Sequence, residues 1–354
     1  MTDLEPKSPS TTPIRDVPPI GWRRRLGSLM RIPTPAIFVG SVVVAVLVLW
    51  LQGALGSLVD VMADARYSYL AIAAPIYLGS LLLLCYRWHV LVEMAKGTSN
   101  FPRASEAFLT SVVINYAAPI GLAVPSRAAL TKRALGLDAR ATGTIAVWEI
   151  GMDVIVLGLG TLLWLVLANG ASSAVGDELS SSARLYATFA MIALAVVGLV
   201  LWWFLKTSDR RARTLDHARR ILMAPRERPR EALLGLLVTL TYWIIQGVVL
   251  ALLVTAFNVE STFVFVLGLT TLPILVGMLS PIPGGAVVRE ALMYVVARLA
   301  DIPADPVIAA ALIYRFALFA AIPILYIGIR WWIARHPVPP GDHTASAHLE
   351  RTSA

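Results

Sequence analysis

Apolar residues run along this chain in blocks separated by short polar stretches. The blocks fall at about 36 to 53, 68 to 88, 105 to 122, 141 to 168, 183 to 205, 232 to 257, 262 to 280, 287 to 299 and 306 to 333. Most approach the roughly 20 residues that a helix needs to cross a hydrocarbon core of about 30 Å. The pattern predicts an all-α, polytopic helical membrane protein with one membrane domain at 34–335. The flanks, 1–33 and 336–354, are rich in Pro, Ser, Thr and charge and are expected to be disordered cytoplasmic tails.

Composition strengthens this reading. The 354 residues are 57% hydrophobic and 15% charged, with a mean hydropathy of +0.72, which excludes an ordinary soluble domain. The net charge of +8 raises nucleic acid as a partner. The Lys and Arg residues, however, lie mostly in loops beside apolar blocks, as the positive-inside rule expects, so no nucleic-acid partner is implied. Cys85, the single cysteine, falls inside an apolar block and reads as packing. The basic cluster Arg23, Arg24, Arg25 and Arg31 precedes the first block without a small-residue cleavage site, which points to a retained helix rather than a removed signal.

Loop charge then sets the topology. The stretch after about residue 205 carries Lys206, Arg210, Arg211, Arg213, Arg219, Arg220, Arg226, Arg228 and Arg230 and belongs in the cytoplasm. Arg330 and Arg335 put the C-terminal flank on the same side. Residues 170–182 and 301–305 lack Lys and Arg and read as external. With Lys96 and Arg103 cytoplasmic, a full crossing at 105 to 122 would strand Arg127, Lys132, Arg133 and Arg140 outside, against the same rule. A re-entrant hairpin, broken at Pro119, Gly121 and Pro125, removes the conflict. The second half mirrors it, entering from the outside and breaking at Pro281, Pro283, Gly284 and Gly285. The expectation is about six full spans plus two opposed hairpins, or about eight spans if each hairpin is two short crossings. Opposed hairpins imply an inverted repeat, a plan that transporters use. Both termini are expected in the cytoplasm of a cell inner membrane.

Charged residues near the two breaks are the candidates for binding chemistry. Pro281 to Glu290 reads PIPGGAVVRE, where a helix starting near Ala286 offers free amides and Arg289 adds a full charge, a setting for phosphate or carboxylate. An interhelical turn with Arg289 paired to Glu290 gives the same sequence. Arg127, with Asn115 upstream, holds the matching place in the first half, where cytoplasmic anchoring is the alternative. Glu149 and Asp153 stand four residues apart on one helix face. Within a membrane they need a cation or a proton, and Arg315 is the expected partner; a purely structural ion pair is the other reading. His89, His217 and His336 are placed in or near loops without metal-ligand spacing. Trp202, Trp203, Trp331 and Trp332 read as interfacial belt residues. No phosphate-binding glycine loop, His/Cys cluster or Gly-x-Ser-x-Gly elbow occurs, so no metal and no cofactor is expected.

These motifs resemble the flippase-like transmembrane region of lysylphosphatidylglycerol synthases. Pro283, Gly284, Gly285, Arg289, Glu290 and Ala291, with Tyr314 and Arg315, look like that family's C-terminal signature. Asn115 through Pro119 and Arg127 to Lys132, Arg133 and Gly136 look like its N-terminal one, and Glu149 with Asp153 fits the helix that follows. The resemblance covers roughly 36 to 334. Ile150 and Ala286 depart from it, standing where the family often has an arginine and a glycine. Only a polar tail follows the last span, so lysyl transfer by this chain alone is not expected. The resemblance implies a lipid translocase rather than an enzyme, binding an anionic phospholipid or polyprenyl-phosphate-linked glycan through Asn115, Arg127, Gly284, Gly285, Arg289 and Glu290. Glu149, Asp153 and Arg315 would form an intramembrane charge network. The alternative is an integral-membrane transferase, or a scaffold for a glycosyltransferase partner.

Overall fold

The computed structural model describes residues 65–117, 135–137, 139–169, 221–279 and 288–336. The expected tails, the blocks at 36 to 53 and 183 to 205, Arg127, Gly284 and Gly285 lie outside the described residues. Asn115 is described in its backbone alone.

Among the described residues seven helices follow one another: α1 (Tyr67–Lys96), α2 (Phe101–Ala117), α3 (Ala139–Asn169), α4 (Pro229–Ala256), α5 (Phe263–Leu279), α6 (Val288–Leu299) and α7 (Ala304–Arg335). Residues 221–227 add a short helical segment, and the described residues include no strand. Each helix matches one of the apolar blocks, and α1, α3, α4 and α7 are long and apolar enough to cross a membrane. Local signals set the ends. Gly97 closes α1 in the left-handed conformation, φ 93°, and donates its N–H to the Glu93 carbonyl, a geometry that glycine adopts at little cost. The Asn100 side chain accepts from the Arg103 amide at 3.3 Å as α2 begins, the usual service of an N-cap. Pro229 opens α4, with Glu231 in its first turn, as the missing amide of proline and the helix dipole both favour.

The bundle is built on the antiparallel pair α1 and α4. At one end the Arg66 amide donates to the Ala256 carbonyl at 2.8 Å. At the other, Arg228 Nη1 donates to the Glu93 carbonyl at 2.8 Å. Midway, Gln246 Nε2 donates to Ser80 Oγ at 3.0 Å. The end that holds Glu93, Lys96 and Arg228 also holds Arg330, paired with Glu106 at 3.0 Å. It is called here the basic end.

Both hairpins can be followed from these ends. The chain leaves the basic end at Phe101, and by Leu135 it is back, where the Leu135 carbonyl accepts from Lys96 Nζ at 3.3 Å. α5 leaves the opposite end at Phe263. The chain has returned there by residues 300–306, since Phe257, Asn258, Glu260, Ala300, Ile302 and Pro306 line one cavity of about 430 Å³. At 12 residues, α6 is about 18 Å long, too short for a hydrocarbon core of about 30 Å. Its Leu292, Met293, Val296 and Ala297 are buried, forming one apolar stripe. The two hairpins thus enter from opposite ends.

α5 packs antiparallel on α3 through two glycine notches. Gly160 faces the side chain of Thr271, and Gly268 faces the indole of Trp164. A Cβ on Gly268 would meet Trp164 within 2.4 to 2.9 Å, closer than packed atoms tolerate. Gly268→Ala is expected to cost about 1–3 kcal/mol through overpacking and to lower the melting temperature of the detergent-solubilised protein. An unchanged melting curve would show that the seam is looser than drawn here.

Candidate functional site

Two groups of charged side chains are buried between the helices, at different depths. The first lies nearer the basic end. Arg87 stands nine residues before the end of α1, Glu149 and Asp153 stand on one face of α3, and all three are at most 7% exposed. By helix rise, Arg87 and Glu149 sit about 15 Å in from that end. Arg87 Nη1 donates to Asp153 Oδ1 at 2.6 Å and Nη2 to Glu149 Oε1 at 3.4 Å. Trp243 Nε1, from α4, donates to the same Asp153 oxygen at 2.9 Å, and Thr239 Oγ1 accepts from Arg87 at 3.5 Å. Planar guanidinium nitrogens suit a cation that must serve two carboxylates at once. The arrangement ties α1, α3 and α4 together.

The expected partner of Glu149 and Asp153 was Arg315; the cation between them is Arg87. The block ending at 88 set Arg87 at the edge of the membrane. α1 runs two turns further, to Lys96, which draws Arg87 inside. His89 is likewise within α1, 3.6 Å from Glu93 one turn on, rather than in or near a loop. An arginine directly before a Trp-His pair in an apolar run was the sequence signal for both.

The second group lies nearer the opposite end. Arg289 and Glu290 occupy the first turn of α6, the inner end of the second hairpin, and Arg315 stands eleven residues into α7. All are about 15 Å from that end by helix rise. Arg315 Nη1 donates to Glu290 Oε1 at 3.1 Å. The Arg289 guanidinium lies 4.7 Å from the centroid of the Tyr314 ring, within cation–π range, and Tyr77 of α1 meets Tyr314 edge-on at 5.4 Å. Glu290 therefore pairs across helices rather than with its neighbour Arg289. Among the described residues this group brings together Arg289, Arg315 and Glu290.

The remaining expectations fall simply. Cys85 is buried, as packing requires. Trp331 and Trp332, at the basic end of α7, are 53% and 51% exposed, and Arg335 lies 3.9 Å over the Trp331 ring. Among the described residues no group of His, Cys, Asp and Glu could hold a metal ion.

A family model described as the lysylphosphatidylglycerol synthase TM region matches residues 37–326. The chain belongs to this family. It is accordingly a multi-pass membrane protein of a family related to lipid handling, and all seven helices lie wholly or mostly within the matched stretch. No curated protein and no solved structure matches the chain.

Proposed function

We propose that this member of the lysylphosphatidylglycerol synthase TM family is a lipid translocase. Its ligand is an anionic phospholipid or a polyprenyl-phosphate-linked glycan, whose headgroup is held between the two hairpins. One observation carries the reading: the second hairpin brings its inner end, with Arg289 and Glu290, against Arg315 at about 15 Å depth. Intramembrane ionisable groups are expensive and mark pathways by default, and guanidiniums gathered at one depth suit a phosphate. Arg289 contacts the phosphate, with Arg127, Asn115, Gly284 and Gly285 completing the site from the two breaks. The opposed entry of the hairpins supports access from alternate sides by rocking of one repeat against the other. The basic end faces the cytoplasm of an inner membrane, which the Lys and Arg residues gathered there favour.

Neutralising Arg289 tests this. Reconstituted Arg289→Gln protein is expected to move fluorescent phosphatidylglycerol across vesicles at least about tenfold more slowly than wild type, the factor for losing one charge-assisted contact in the moving state. Its melting temperature should stay close to that of wild type. Equal transport by a folded variant would remove Arg289 from the site.

A further inference from the structure

The two buried charge groups are joined by a line of hydrogen-bonding side chains along the seam between α1 and α4. On α1, Tyr77, Ser80 and Arg87 share one helix face, and on α4 Thr239, Tyr242 and Gln246 do the same. All six are buried. At the end nearer the cytoplasmic connections, Arg87 holds Asp153 at 2.6 Å and Glu149 at 3.4 Å. About 10 Å further along α1, Gln246 donates to Ser80 Oγ at 3.0 Å, and Ser80 Oγ donates to the Tyr77 carbonyl at 2.6 Å. Tyr77 then meets Tyr314, whose neighbour Arg315 holds Glu290.

Polar side chains between membrane helices often serve as glue, and glue satisfies the groups it joins. Here an acceptor, Gln246 Oε1, and a donor, Arg87 Nε, are buried without a hydrogen-bond partner, although Gln246 is 1% exposed. Such atoms call for an explanation, and a route used by water and protons supplies one. The two carboxylates on Arg87 are also held unequally. Asp153 takes the short bond and a second donor, Trp243, while Glu149 takes the long one.

We infer that this line is a proton path, with Glu149 and Glu290 as its two stations, and that proton movement along it drives the lipid. The path rests on the translocase reading above and gives it an energy source. A proton from water at one face binds one carboxylate, passes by way of Gln246 and Ser80, and leaves the other carboxylate to water at the opposite face. The net transfer is one proton across the membrane. When Glu149 holds the proton, its charge no longer ties it to Arg87, and α3 is held to α1 through Asp153 alone. Among the described residues, the pair Glu149 and Asp153 faces Arg87 of α1 and Trp243 of α4, with Tyr242 in the field of Arg87. Glu290 faces Arg315 and, beside it, Tyr314 with Arg289 and Tyr77 around its ring. α5 brings no ionisable residue to either group, and Arg226 and Glu227, on the segment that meets Trp148, are exposed.

The full-length protein is reconstituted into phosphatidylcholine vesicles with a trace of fluorescent phosphatidylglycerol. Valinomycin with equal potassium on both sides holds the potential at zero, and dithionite quenching reads the label in the outer leaflet. Exchange itself is read without a gradient, from label added to the outer leaflet alone. A gradient of about one pH unit is then expected to move the wild-type leaflet ratio away from unity by up to about tenfold, the balance point for one proton per lipid. The direction of the displacement tells symport from antiport. Glu149→Gln should keep the ratio within about twofold of unity, as should Gln246→Leu, which leaves every charge in place and carries the test if the first variant does not fold. A wild-type ratio of unity with exchange intact overturns proton coupling and leaves the translocase standing. A displacement that survives in both variants overturns the path. Absence of exchange by the wild type overturns the translocase reading and this inference together.

Discussion

Replacing Arg87 with methionine should prevent the folded protein from accumulating in the membrane. The guanidinium is shared by Asp153 at 2.6 Å and Glu149 at 3.4 Å, and its loss leaves two carboxylates facing each other with their common cation gone. Breaking a buried pair by removing one partner typically costs about 3–5 kcal/mol, a large part of the roughly 5–15 kcal/mol that holds a domain together. Arg87→Lys should be milder but still harmful, since an ammonium is a point charge and cannot extend two nitrogens to two acceptors. The triple variant Arg87→Met, Glu149→Gln, Asp153→Asn should regain most of the folded yield, because a buried ion pair replaced whole by neutral groups is often tolerated. Size-exclusion chromatography of the extracted protein reads all three. A monodisperse Arg87→Met protein with the wild-type melting temperature would show that this group is not what joins α1 to α3.

All-or-none labelling is expected from single cysteines placed on the two sets of connections. Cysteines at Thr98 and Leu135, in a Cys85→Ala background, should react with an impermeant maleimide only from the cytoplasmic face. Cysteines at Glu260 and Asp301 should react only from the other. Leu135 meets Lys96, whereas residues 257–262 and 300–306 share a cavity, so each pair must behave as a unit. Reaction of 135 from the outside would reverse the charge-based sidedness or take the first hairpin through the membrane.

Helix positions were plain in the sequence because apolar length is a direct consequence of membrane thickness. Blocks at 262 to 280 and 287 to 299 became α5 and α6 with ends shifted by one residue. Loop charge also foretold the return of the first hairpin to the basic end, since Arg127, Lys132 and Arg133 had nowhere else to go. The paired carboxylates were visible from their spacing alone. Their partner was not, because hydropathy falls away after Trp88 while the helix continues to Lys96. Tyr86, His89 and Glu93 dilute the apolar signal, yet a bundle can bury such residues where a lipid face could not. Cross-helix pairing was the other illegible part. Arg315 and Glu290 are 25 residues apart, and only the fold of the second hairpin decides that they meet. Glu290 and Arg289, adjacent in sequence, point to different partners for the same reason.

The contrast between two seams of this bundle bears on how it can deform. α1 and α4 are tied at both rims, at their middle and through Arg87 and Thr239 by hydrogen bonds, so sliding one along the other would break four directional contacts at once. Between α3 and α5 the described residues place no hydrogen bond. Thr161, Thr270 and Thr271 turn their hydroxyls back onto their own helices, and what remains is shape, glycine against threonine and glycine against indole. Contacts of that kind set a register by shape but hold no directional bond, so one register can be exchanged for the next without breaking a hydrogen bond. The first pair is a stator, and the leg that leads into the second hairpin runs beside it on a dry bearing.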